Sequence, residues 1–126
     1  MSKGINAYRR AHVESAPPAR LLEDMFNYLA ADLRTAADCI ARKDVPGKAR
    51  ACDRALAILS DLEAALDYNV APELCQNLAV LYRFSSDRIL AASSRLDPTP
   101  LAEVEKVLTP VFDAFRVAIA QSLNQP

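Results

Sequence analysis

The chain has 126 residues with 15 basic and 16 acidic side chains, so it has no basic excess to neutralise a nucleic-acid backbone. Its length suits one domain, and neither a signal peptide nor a bilayer-spanning apolar run is evident. Hydrophobic residues make up 52% while aromatics are only 6%, a balance typical of helical proteins. We therefore expect a cytoplasmic, all-α protein without nucleic-acid contacts or membrane insertion.

The N-terminal residues predict an arm separate from the rest of the domain. Ile5 and Tyr8 stand one helical turn apart, and the following Pro17 and Pro18 prevent that turn from continuing into the next helix. No apolar residue close in sequence can bury these two side chains. Within a single domain of residues 1–126, we expect residues 1–16 to form a mobile arm and residues 17–122 to form a bundle.

Two helices are predicted in the first half of the bundle. The first runs from about Pro18 to Arg42, because its apolar residues recur at steps of four and three. Its inward positions are Leu22, Phe26, Leu29, Leu33, Ala36 and Ile40. The second begins after Asp44, which can cap it, and stops near residues 67–69. Its inward positions are Cys52, Leu56 or Ala55, Leu59, Leu62 and Leu66.

Two further helices are predicted in the second half. The third runs from about Ala71 to Arg95, and residues 97–100 supply a cap and a first-turn proline for the fourth. The inward positions are Leu74, Leu78, Leu81, Ser85, Ile89 and Ala92 in the third helix, and Leu101, Val104, Leu108, Val111, Phe115 and Ala118 in the fourth. Pro110 predicts a kink near residues 106–110. Short linkers between these helices predict an antiparallel four-helix bundle with left-handed packing.

Residues that could support catalysis or metal binding are scarce. The sole histidine, His12, lies in the arm, and no Gly-rich phosphate loop occurs. Three acidic residues fall on the polar side of the first helix and are expected to be solvated, namely Glu23, Asp24 and Asp32. Three cysteines lack a CxxC spacing and are expected to fill the core, namely Cys39, Cys52 and Cys75. We expect no enzyme, no metal and no cofactor.

Apolar residues also occur outside the inward stripes. They are Ile58 in the second helix, Val80 and Phe84 in the third, and Val107, Ala114 and Val117 in the fourth. Two interpretations stay open, because a wide apolar arc on a helix either enlarges the core or presents a groove to another chain.

The order of several short motifs resembles the FliS family of flagellin-specific secretion chaperones. The motifs are Asn6-Ala7-Tyr8, a proline followed by xxLL at Leu21 and Leu22, Leu66-Asp67, and LYRFSSDRILAASSRLD at residues 81–97. The chain departs from the family in having MFNYL at residues 25–29 where a Leu-Tyr-Asp-Gly run is common, and Ser93 where Asn is usual. The resemblance extends from Asn6 to about Ala120.

This resemblance implies an antiparallel helical bundle that acts as an export chaperone. Such proteins bind the C-terminal segment of flagellin, prevent premature polymerisation and deliver flagellin to the type III export gate. It further implies that Ile5 and Tyr8 cover part of the client site and contact the export gate. Ile58, Val80, Phe84, Val107 and Val117 are the other candidate partner contacts. The competing hypothesis is a structural bundle that self-associates, whereas the chaperone should be a monomer or weak dimer when free.

Overall fold

The fold is known from a computed structural model that describes residues 18–123, with side chains from residue 19 to residue 121. It contains four helices: α1 Pro18–Ala41, α2 Val45–Ala64, α3 Pro72–Arg95 and α4 Thr99–Leu123. Each helix packs on its two neighbours in a ring, and the backbones of the diagonal pairs α1–α3 and α2–α4 do not approach each other closely. The described range holds no strand, and the predicted four-helix bundle is confirmed.

The predicted helix bounds agree with the structure except at one end. Helix α2 stops at Ala64, a few residues before the predicted end at residues 67–69. Beyond it, the Asp67 carbonyl accepts hydrogen bonds from the amides of Val70 and Ala71. These bonds belong to a separate turn that links α2 to α3, and they do not extend α2. Helix α4 continues through Pro110. The predicted bend there stays a prediction.

Two tight connections lie together at what we call the basal end, where α1 and α3 finish and α2 and α4 begin. In the first connection, Lys43 adopts a left-handed conformation with φ 60°, and the amide of Asp44 donates to the Cys39 carbonyl at 2.8 Å. This bond closes α1 in the manner of a Schellman motif. Asp44 then caps α2, because its Oδ1 accepts from the Gly47 amide at 3.0 Å, as predicted. A Cβ at Gly47 would clash with the Asp44 carboxylate, so this position suits glycine.

The second basal connection has the same design. Leu96 is left-handed with φ 53°, and the Asp97 amide donates to the Ala92 carbonyl at 3.1 Å. Asp97 Oδ1 accepts from the Thr99 amide at 2.9 Å, and this bond holds the pKa of the Asp97 carboxyl below its usual value. The chain has only two glycines, so a lysine and a leucine occupy conformations that glycine adopts most easily.

The core runs along the ring axis and joins all four helices. The rings of Phe26 on α1 and Phe112 on α4 stack with centroids 4.1 Å apart and an interplanar angle of 14°. All three cysteines are free and buried, which confirms their prediction as core residues. The fully buried side chains of largest volume are Phe26, Leu29, Leu59, Ile89, Leu108, Val104, Cys52 and Ser85.

Two inward stripes differ from the prediction. On α3, Leu74 is 51% exposed while the neighbouring Cys75 is buried. On α4, Ala118 is exposed and Ile119 is buried. In both helices the predicted core residue has an apolar neighbour in the sequence. The spacing of three or four residues to the next core position fits either residue of the pair. Packing against the neighbouring helices decides which one enters the core.

The prediction of a solvated Asp32 is wrong. This residue is only 9% exposed, because it faces α2, where Arg54 Nε donates to its Oδ1 at 3.1 Å. A second buried polar link joins α2 to α3, in which Lys48 Nζ donates to both the carbonyl and the hydroxyl of Ser93 at 3.1 Å. Burial of each charged group is therefore accompanied by a cross-helix hydrogen bond.

Candidate partner-binding surfaces

An open apolar cleft lies at the apical end, where α1 and α3 begin and α2 and α4 finish. It encloses about 430 Å³ between the four helices. Its walls come from the first two turns of α1, the end of α2 and its link to α3, the first three turns of α3, and one residue of α4. The lining residues are Leu21, Leu22, Met25, Phe26, Leu62, Ala65, Leu66, Asp67, Val70, Ala71, Leu74, Cys75, Leu78, Tyr82 and Phe115.

The cleft lies between the first turns of α1 and α3, which are diagonal partners in the ring. The floor of the cleft includes the core residues Phe26 and Tyr82, which are 0% and 3% exposed. At the rim, Val70 and Leu74 are 80% and 51% exposed. Exposed aliphatic side chains that lead into a recess continuous with the core form a surface suited to apolar side chains of another segment.

One tyrosine brings a polar group to this apolar surface. Burial, and to a smaller extent the nearby Cys75 thiol, raises the pKa of Tyr82 to about 12. The phenol therefore stays protonated under physiological conditions. The Cys75 thiol itself donates to the Asp67 carbonyl at 3.3 Å.

A second apolar surface covers the outer side of α3. Val80 and Phe84 are separated by one helical turn and are 64% and 41% exposed. On α4, Val107 is partly buried and packs against the core, whereas Val117 is 59% exposed. Ten residues separate the two valines, which places them about 80° apart around α4. The two candidate contacts on α4 therefore lie on neighbouring parts of the helix surface and differ in burial.

Ile58 lies inside the protein. Its side chain is 4% exposed and belongs to the core cluster, because α2 buries positions on both sides of its predicted stripe. Ile58 is therefore not accessible to a partner in this conformation and is not part of the proposed surface. Ile5, Tyr8 and His12 lie outside the described residues.

Sequence reasoning missed the cleft because it assigned Leu74 to the core and ended α2 too late. Val70 could have indicated it, since it is large and apolar yet stands in a linker ahead of Pro72. Among the residues that the structure describes, no three His, Cys, Asp or Glu side chains are placed to hold a metal. No helix in this part of the chain is long and apolar enough to span a membrane.

The chain is a helical bundle with an open apolar recess, and grooves of this kind receive amphipathic segments of other chains in several protein families. A family model described as "Flagellar protein FliS" matches residues 1–122. The chain therefore belongs to the FliS family, as the motifs indicate.

Curated relatives agree with this assignment. The chain is 32% identical over 120 residues to the flagellar secretion chaperone FliS of Salmonella typhimurium, with 91% of this chain and 89% of that protein covered. It is 30% identical to the flagellar secretion chaperone FliS of Bacillus subtilis, with 90% and 84% covered. The flagellar secretion chaperone FliSB of Pseudomonas aeruginosa is 31% identical, with 86% and 90% covered.

Proposed function

We propose that this protein is a cytoplasmic, non-enzymatic chaperone that binds the C-terminal segment of flagellin. In binding it, the protein prevents premature polymerisation and delivers flagellin to the type III export gate. Membership of the FliS family and the names of its relatives as flagellar secretion chaperones support the proposal. The observation that carries it is the open apolar cleft of about 430 Å³ at the apical end.

The chemistry of the cleft suits such a client. A disordered segment that becomes an amphipathic helix on binding must bury one apolar face, and the cleft offers aliphatic and aromatic walls for it. Ordering the segment costs free energy, which extended contact must offset. The exposed Val80 and Phe84 on α3 extend the available apolar surface beyond the cleft. We include Val107 and Val117 as secondary contacts.

The proposal assigns a second role to the N-terminal arm. Residues 1–16 join α1 at its first turn, and Leu21 and Leu22 in that helix line the cleft. An arm attached at this point can bring Ile5 and Tyr8 to the same apolar walls that a client would use. We propose that the arm covers part of the client site, gives way when flagellin binds, and then provides Ile5 and Tyr8 as contacts for the export gate.

Calorimetric titration with the C-terminal segment of the same organism's flagellin tests the proposal. Wild-type protein should bind with one-to-one stoichiometry and a large negative heat-capacity change, the mark of apolar burial. Leu74→Asp should weaken binding at least about tenfold, because it places a charge at the rim of the cleft. Leu90→Asp is the matched control, since Leu90 is on the same helix, is 54% exposed and does not line the cleft.

Sedimentation of the free protein separates this function from self-association through the same surfaces. The chaperone should be a monomer or a weak dimer that flagellin dissociates. Absence of binding to any flagellin of that organism, together with a stable oligomer that Leu74→Asp disrupts, would instead favour the self-associating bundle.

A further inference from the structure

The hydroxyl of Tyr82 is a hydrogen-bond donor at the apical cleft. The residue is 3% exposed and lines the apical cleft, yet its hydroxyl makes no hydrogen bond within the described residues. Its oxygen keeps some contact with solvent. A tyrosine buried to this extent usually pairs its hydroxyl with a protein group, because an unpaired buried hydroxyl costs free energy.

The position of Tyr82 on α3 is expected to place its side chain toward the apical end. Side chains on a helix lean toward its N-terminus, and α3 begins at that end. The interaction between the phenol and the Cys75 thiol agrees, because Cys75 lies two turns closer to the start of α3 and lines the cleft. The other side of Tyr82 faces a smaller depression of about 230 Å³ on the seam between α2 and α3, which Cys75 does not line.

Two other polar side chains of the cleft, those of Cys75 and Asp67, already take part in hydrogen bonds. The Cys75 thiol donates to the Asp67 carbonyl at 3.3 Å, and Asp67 Oδ1 accepts from the Asn69 amide at 3.0 Å. Among the described residues that line the cleft there is no lysine, arginine or histidine. A carboxylate placed there would therefore lose hydration without gaining a cation. An uncharged acceptor would gain the Tyr82 hydrogen bond at a smaller desolvation cost.

We propose that Tyr82 is a specificity-determining residue, whose hydroxyl donates to an uncharged acceptor oxygen of the client segment in the cleft. The acceptor is the side-chain oxygen of an Asn, Gln, Ser or Thr within an otherwise apolar face. The inference rests on the proposed function, since the client is flagellin. A segment that is apolar throughout would bury the phenol hydroxyl without a partner, so the cleft discriminates against it.

Tyr82→Phe tests this inference because it removes only the hydroxyl. Titration of the full-length variant with the flagellin C-terminal segment should give a Kd about 3- to 10-fold higher than wild type, the range expected for one net hydrogen bond. The thermal midpoint of the free variant should not fall, because the hydroxyl makes no hydrogen bond to any residue that the structure describes. Tyr68→Phe is the matched control, since Tyr68 is 43% exposed, does not line the cleft and should leave the Kd unchanged.

A carbon-13 label on the tyrosine ring carbon that bears the hydroxyl gives a second measurement. The Tyr82 signal should shift on client binding in wild type, as its hydroxyl gains a partner. Wild-type binding with an unchanged Kd for Tyr82→Phe would overturn this inference and leave the proposed function standing. Failure of wild type to bind flagellin would overturn both.

Discussion

Arg54 and Asp32 form an ion pair that links α2 to α1, with Nε 3.1 Å from Oδ1, and its two side chains are unequally exposed. The Arg54 side chain is 51% exposed, whereas that of Asp32 is 12% exposed. Burial raises the pKa of the Asp32 carboxyl above its usual 3.8, and the hydrogen bond and charge of Arg54 offset only part of this rise. The folded protein therefore holds a proton on Asp32 more tightly than the unfolded chain does.

This carboxylate makes stability depend on pH. Because the folded pKa is raised, the contribution of Asp32 to stability is greatest below pH 3.8 and is lost as pH rises through the folded pKa. At pH 7 the hydrogen bond and the positive charge of Arg54 stabilise the buried Asp32 carboxylate. Arg54→Ala should therefore lower the free energy of unfolding by about 1–3 kcal/mol. Urea titration at pH 7 measures this loss.

Two controls accompany the Arg54 measurement. Arg83→Ala removes another cross-helix pair, in which Arg83 lies 2.9 Å from Glu63 but its side chain is 70% exposed, so the loss should be under about 1 kcal/mol. In an Asp32→Asn background the cost of Arg54→Ala should shrink, because no buried charge is left unpaired. Equal losses in the two backgrounds would mean that Arg54 acts through packing and not through the Asp32 charge.

The Phe26–Phe112 stack gives a test of the α4 register. Phe112→Ala removes a ring that is 4% exposed and should lower the free energy of unfolding by about 3–5 kcal/mol. Val111→Ala, at the adjacent and only partly buried position, should cost about 1 kcal/mol. Denaturant unfolding of both variants compares them. The opposite order would support the register predicted from sequence, in which Val111 faces the core.

These neighbouring residues explain what the sequence could and could not predict. Spacing and caps identified all four helices, because apolar periodicity and residues such as Asp44 act locally. The choice between Val111 and Phe112, or Leu74 and Cys75, depends on which neighbour fits against the other helices. The cleft was missed for the same reason, since a gap between α1 and α3 is a property of the packed ring and not of any segment.

Leu96 ends α3 in a conformation that favours glycine. Its φ of 53° strains the backbone of a residue that has a side chain. Because 51% of its surface is exposed, removal of the side chain should sacrifice little apolar burial. Leu96→Gly should therefore raise the free energy of unfolding by about 0.5–1 kcal/mol. Leu90→Gly is the control, because Leu90 is equally exposed but lies inside α3, where glycine should destabilise by about 1 kcal/mol. Thermal melts of the pair should move in opposite directions, and a lower melting temperature for both variants would contradict the strain argument.

Substitution by aspartate should have different effects on stability at Phe84 and at Ile58. Phe84→Asp should leave the thermal midpoint close to wild type, because the residue is 41% exposed, while flagellin binding is lost. Ile58→Asp should unfold the protein or lower its midpoint sharply, since that side chain is 4% exposed. Circular dichroism melts and calorimetric titration measure the two effects. A folded Phe84→Asp protein that binds normally would remove the outer face of α3 from the client site.

Deletion of the N-terminal arm tests whether it competes with the client. The four helices begin at Pro18, and residues within them and the α2–α3 link form a core cluster among themselves, so a protein lacking residues 1–10 should keep its fold. Its affinity for the flagellin segment should stay equal or rise, because removing a competing intramolecular contact leaves more of the protein competent to bind. Amide exchange on the intact chain provides an independent measurement, since protection around Tyr8 should decrease when client is added. An increase there would mean that the arm clamps the client, and the deletion should then lower affinity.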